Sequence, residues 1–151
     1  MSDRRQILLG RLVAEMRHFK EINHTADRAF QVTGRDMAAL LENAARAMQA
    51  LDKDEAGTTA ERLETREIEV EGVDGESLLV NWLNEILYLE QAHHLVCEQF
   101  RIDEVKNHCL RARVETRECD RTYTHIKAVT FHNLKIRVTS EGLEAEIVVD
   151  V

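Results

Sequence analysis

The chain has 151 residues, 44% of them hydrophobic and 32% charged, and contains no proline; that is the size and balance of one globular domain with its own core. No run of about 18 apolar residues is present to span a bilayer. The 20 basic residues against 28 acidic ones give a net charge of −8, and because the basic residues are scattered, tight nucleic-acid binding, which needs clustered Lys and Arg on phosphate, is disfavoured, whereas a basic protein partner or a divalent cation suits the acidic surface.

Residues 1–15 read as an extra N-terminal segment ahead of a domain over 16–151. Ile7, Leu8, Leu12 and Val13 fall at helical spacing, but the apolar stretch is broken by Gly10 and Arg11. A helix this short is marginal alone. No small-residue cleavage site follows, so no signal peptide is expected and the cytoplasm is the expected compartment.

Residues 16–22, MRHFKEI, alternate as a strand, and 28–33 place Phe30 and Val32 on one face of a second strand that ends at Gly34. Asp36 is a candidate N-cap for a long helix whose apolar stripe is Met37, Leu40, Leu41, Ala44, Ala45, Met48 and Leu51. Residues 52–65 lose the pattern and read as a charged loop. REIEVEG then sets Ile68 and Val70 against Glu67, Glu69 and Glu71, a half-buried strand. Asp74 or Ser77 opens a second helix, with Leu79, Trp82, Leu83, Ile86 and Leu87 inside, ending near His94.

The last third reads as four strands: FRIDEV, LRARVETRE, HIKAVTFHNLKIRVTS and LEAEIVVDV, with Ser140-Glu141-Gly142 as a hairpin turn between the final two. The order ββαβαββββ predicts a single compact α+β domain, a mainly antiparallel sheet with two helices packed on it.

Three cysteines, Cys97, Cys109 and Cys119, form no CxxC, so free thiols are expected rather than a redox dithiol or a zinc hook. A zinc site from His93, His94 and Cys97 is disfavoured because adjacent helical residues point about 100° apart. No GxSxG, P-loop or Rossmann glycine pattern is present, and no nucleophile–base pair stands out.

Two acids deserve weighing. Asp27 ends the HTAD turn between two strands, where an Asp ordinarily bonds nearby backbone N–H groups. Asp150 ends the apolar run IVVD, where an acid is costly unless it is paired, metal-bound or at the strand's end. Val151 then adds an α-carboxylate one residue on. A frayed, solvated terminus is the ordinary reading of such an end, yet these are also the hard oxygen ligands that Ca²⁺, Mg²⁺ or Mn²⁺ takes.

His24-Thr25-Ala26-Asp27, the KAVTFH run from Lys127 to His132 and the closing Asp150-Val151, in that order, resemble the archease family over roughly residues 18–151. The resemblance implies a compact α+β fold and a non-enzymatic accessory protein. Its implied partner is a GTP- and metal-dependent RNA-splicing ligase, which joins 2′,3′-cyclic phosphate ends to 5′-hydroxyl ends in tRNA splicing or RNA repair. It implies that Asp27, Asp150 and Val151 hold a divalent ion, calcium in the family with Mn²⁺ or Mg²⁺ as alternatives, and that the protein promotes guanylylation and multiple turnover of the ligase. His24 and Lys127 are then candidates for orienting the site or touching the partner, whereas His132 reads as structural. The family's usual DHTAD is departed from at Asn23, which removes one negative charge. Two other classes remain open. A small metal-dependent phosphoester hydrolase would keep an open coordination position and a base and would turn over generic phosphoesters alone. A chaperone-like binding module would bind hydrophobic dyes and suppress aggregation without the ligase.

Overall fold

A computed structural model describes residues 28–52, 60–120 and 126–151, together with the backbone of residues 19–23. Residues 1–15, read as an extra segment, lie outside the described residues, as do His24 and Asp27. The described chain runs β1 (Phe19–Asn23), β2 (Arg28–Gly34), α1 (Met37–Asp52), β3 (Glu64–Glu71), α2 (Gly75–His93), β4 (Leu95–Lys106), β5 (Cys109–Glu118), β6 (Ala128–Thr130), β7 (Ile136–Thr139) and β8 (Gly142–Asp150).

The α+β architecture with two helices on antiparallel strands is as the sequence predicts. The strands, however, form two sheets rather than one. The first is ordered β1-β2-β8-β6, with β7 also on β8, and the second is β3-β5-β4. Every pairing is antiparallel. α1 packs on β2 and β4, so it touches both sheets; α2 meets β3, β4 and β6. The apolar faces of both sheets and both helices meet in one cluster that includes Phe30, Leu41, Trp82, Leu83, Val114 and Ile147.

Each helix starts where its cap chemistry requires. The Asp36 carboxylate accepts from the Ala39 N–H at 2.8 Å, filling one of the donors a helix start leaves unpaired. At α2 the Asp74 carboxylate accepts from the Ser77 N–H at 2.7 Å, and the Ser77 hydroxyl accepts from the Asp74 N–H at 3.1 Å, a reciprocal capping box. His94, at φ 52°, ends α2 in the left-handed region. Leu78, Val80 and Leu89 are buried as well as the predicted stripe, because α2 has neighbours on several sides.

Trp82 is fully buried, and its indole N–H donates to the Leu41 carbonyl at 2.9 Å. Its ring meets Phe100 edge-on, centroids 6.2 Å apart. The interhelical bond lets an amphipathic ring lie in the core without an unpaired donor.

Two departures from the sequence reading matter for the site. Asp52, read as the first residue of a charged loop, is the last residue of α1 and is buried. HIKAVTFHNLKIRVTS, read as one strand, is two. Residues 131–135 break it, with Leu134 N–H returning to the Phe131 carbonyl at 3.0 Å and Asn133 at φ 52°. β6 and β7 therefore lie in line along one edge of β8. The β7–β8 hairpin turns through Ser140 and Glu141, with Thr139 opposite Gly142. Gly142 has φ 139°, and a Cβ there would stand 2.3 Å from the Gly34 carbonyl oxygen, so only glycine lets the hairpin close on the end of β2.

Candidate metal site at the end of the last strand

β8 is paired on both edges, flanked by β2 on one side and by β6 and β7 on the other. Ala145, Ile147, Val148 and Val149 are buried along it. A strand paired on both edges and buried through consecutive positions reads as an apolar run, which is why IVV precedes the acid. At Asp150 the character changes abruptly: Val149 has no exposed surface, whereas Asp150 is exposed and Val151 retains 41% of its own. The acid at the end of an apolar strand is thus carried out of the core by position.

The backbone under Asp150 is held firmly. Ala128 is its ladder partner in β6, and the Lys127 N–H donates to the Asp150 carbonyl at 2.7 Å. Lys127 itself is exposed. On the opposite edge of β8, Val149 pairs with Arg28, the residue that directly follows Asp27 in the chain. Asp27 and His24 fall in the 24–27 connection between β1 and β2, outside the described residues; Asn23 is the last residue of β1, its backbone paired with Arg28.

The Asp150 carboxylate is exposed on a backbone fixed by its ladder, and an oxygen donor of that kind is what a hard divalent cation takes. Among the described residues no ion pair involves Asp150, and no group of three or more His, Cys, Asp or Glu gathers as a metal cage. Ligands from residues 24–27 would therefore be needed to complete a site.

The other candidates lie apart from this end. His132 is exposed in the turn after β6, its ring nitrogen 3.2 Å from the Asn133 amide. Cys97 is buried in β4, where desolvation pushes its thiol well above the ordinary value, with Glu90 adding to that shift and Arg66 opposing it. His93 and His94 are exposed at the end of α2. Glu67, Glu69 and Glu71 of β3 lie beside β5, whose Arg111 and Arg113 pair with Glu104 and Asp103 of β4. That outer face is a charge-matched, solvated sheet surface.

Sequence reasoning missed three residues beneath the chain end. The Asn84 side chain accepts from the Val129 N–H at 2.9 Å and donates to the Val129 carbonyl at 3.3 Å. Gln91 donates to the Ile126 carbonyl at 3.0 Å, and Asp52 accepts from the Ile126 N–H at 2.9 Å. A polar residue on a helix carries no signal of a distant backbone partner; only the i+7 spacing of Asn84 and Gln91, two turns along one face, hints at a shared neighbour.

Comparison with known proteins places the whole fold. The family model described as "Archease protein family (MTH1598/TM1083)" matches residues 19–151. "Protein archease" of Methanosarcina barkeri is 35% identical over 146 residues, covering 89% of this chain and 97% of that protein. "Protein archease" of Methanopyrus kandleri is 37% identical over 140 residues, covering 88% and 99%. Two solved structures share the fold. The solution structure of Methanobacterium thermoautotrophicum protein 1598 aligns with a TM-score of 0.66 at 28% identity over 90% of this chain and 100% of that one. The crystal structure of an archease from Thermotoga maritima, described as a possible chaperone, aligns with a TM-score of 0.62 at 26% identity over 87% and 96%. The likeness first read from HTAD, KAVTFH and the closing Asp-Val extends over the whole described fold, and the chain belongs to the archease family.

Proposed function

We propose that this protein is an accessory factor, not itself an enzyme, that activates a GTP- and metal-dependent RNA ligase in tRNA splicing or RNA repair. Asp27, Asp150 and the α-carboxylate of Val151 would together hold a divalent cation, Ca²⁺ or in its place Mn²⁺ or Mg²⁺. His24 and Lys127 would orient that site or contact the ligase. The cation would supply charge neutralisation at the ligase's nucleotide-transfer step; the chain's own residues would carry and present it. The observation that supports this most is the chain end: an exposed acid on a doubly paired, buried strand, adjacent to Val149, whose ladder partner Arg28 follows Asp27 in sequence. A net charge of −8 favours docking against a basic site mouth, and the cytoplasm is the compartment proposed for it. Among the described residues no helix is long and apolar enough to cross a membrane.

The test is catalytic assistance. Added at substoichiometric amounts to an RNA ligase of that class, the protein should turn a stalled reaction into multiple turnovers and raise the yield of guanylylated ligase. A ligase that turns over no faster overturns the proposal. A second reading, a chaperone-like binding module, draws on the Thermotoga maritima relative described as a possible chaperone. It would instead require suppression of aggregation of unrelated proteins without ligase.

A further inference from the structure

β6 has only three residues and, among the described residues, a single ladder neighbour, β8. A strand so short, paired on one edge, is marginal on its own. Yet it carries the backbone against which Asp150 rests, and Lys127 leads into it.

Its other edge is occupied by a side chain. Asn84, half-buried in the middle of α2, presents its amide so that oxygen and nitrogen both meet Val129: the Val129 N–H donates to Oδ1 at 2.9 Å, and Nδ2–H donates to the Val129 carbonyl at 3.3 Å. A side-chain amide carries a donor nitrogen and an acceptor oxygen on one planar group, as the backbone of a neighbouring strand does. Asn84 thus stands where a second ladder partner would, and Val129, 4% exposed, is shielded from the solvent that would otherwise satisfy its backbone groups. Just upstream, Asp52 and Gln91 hold the two backbone groups of Ile126. The segment 126–129 is therefore clipped to the two helices on one side and to β8 on the other.

We infer that Asn84 is a positioning residue for the chain end: its two bonds to Val129 hold β6 in register with β8 and so fix the Lys127–Asp150 corner. That this corner is the functional one rests on the reading proposed above. The geometric claim stands apart from it, because Lys127 makes no bond to Asn84 yet depends on the strand that Asn84 holds.

Backbone amide hydrogen exchange, followed by NMR on the protein without added metal, tests this. In Asn84→Ala, and in Asn84→Asp, which keeps the size and acceptor but loses the donor, the Lys127 N–H should exchange faster by about tenfold, the effect of weakening roughly one intramolecular hydrogen bond. Amides of Arg111 and Arg113 in the other sheet should be unchanged, which separates loosening of the corner from global unfolding. Asn81→Ala is the matched control: Asn81 lies on the same helix but donates to the Glu71 carbonyl, and its loss should leave Lys127 protected. Wild-type protection of Lys127 in both Asn84 variants overturns the inference, as does equal deprotection in Asn81→Ala. A Mn²⁺ titration keeps the two readings apart: affinity falling severalfold in both Asn84 variants supports them together, whereas a wild-type protein that binds no Mn²⁺ overturns the metal reading and leaves the exchange result to decide the role of Asn84.

Discussion

Asp150 and Trp82 mark the two extremes of what one residue does in this fold. Asp150 is exposed at the end of a buried strand, so its charge contributes little to the core and is free to serve a ligand. Asp150→Asn keeps the shape and removes the charge. We expect it to weaken Mn²⁺ or Ca²⁺ binding by at least about tenfold, as losing one charged oxygen ligand does, with an unchanged denaturation midpoint. Calorimetric titration beside a urea melt checks both, and an affinity equal to wild type would remove Asp150 from the site. Trp82 is the reverse. Its ring has no exposed surface, fills the space between α1, α2 and Phe100, and its N–H is spent on Leu41. Trp82→Ala should cost about 3–5 kcal/mol by leaving a cavity and an unpaired carbonyl, read as a shift of the urea midpoint. Both residues were legible in sequence, Trp82 from its helical stripe and Asp150 from an acid closing an apolar run. Asp52 was not: its burial depends on the N–H of Ile126, 74 residues away, and nothing local encodes that.

At the scale of elements, legibility followed the strength of local chemistry. α1 and α2 start at the predicted caps because an Asp bonds N–H groups three residues on, whatever the tertiary context. The split of the penultimate strand escapes a sequence reading because apolar residues continue through Val129, Phe131 and Leu134 with no glycine or proline between them, while the turn rests on Asn133 adopting a left-handed backbone. The β4–β5 turn was likewise unread. Asn107 and His108 both have positive φ, as a two-residue hairpin loop of the primed kind demands, but His lacks the glycine signature that flags it. The cap of α2 gives a pH test. Asp74 has its pKa lowered, chiefly by the backbone hydrogen bond from Ser77, then by the Ser77 hydroxyl, with His108 adding a smaller share. A folded-state pKa below the unfolded one means the stabilisation is complete above the ordinary Asp value, about 3.9, and is lost as pH falls through the lower folded value. The stability gap between wild type and Asp74→Ala should thus be widest near neutrality and shrink at acid pH. A gap constant down to the lowest pH at which both proteins fold would show that the cap does not depend on charge.

For the whole molecule, the division into two sheets was the part least accessible from sequence, since strand order is set by contacts between distant segments: β2 pairs with β8, and β3 with β5. That long-range pairing brings residue 28 alongside residue 149 and makes the final residues part of the sheet rather than a loose tail. If the α-carboxylate after Asp150 is a ligand, the last atoms of the chain are chemically specified. Extending the chain past Val151 turns the carboxylate into an amide, removes a negative charge and adds bulk beside Asp150, while β8 keeps its pairing through Val149 with β2 and β6. An extension placed before Met1 leaves the carboxylates of Asp150 and Val151 chemically unaltered. We therefore expect a C-terminal tag to lower both Mn²⁺ affinity and activation of the ligase with an unchanged melting curve, and the same tag at the other end to leave all three as in the untagged protein. Equal activation by the two tagged proteins would make the terminus a strand end and nothing more, and any metal site would then have to be built from Asp27 and Asp150 without it.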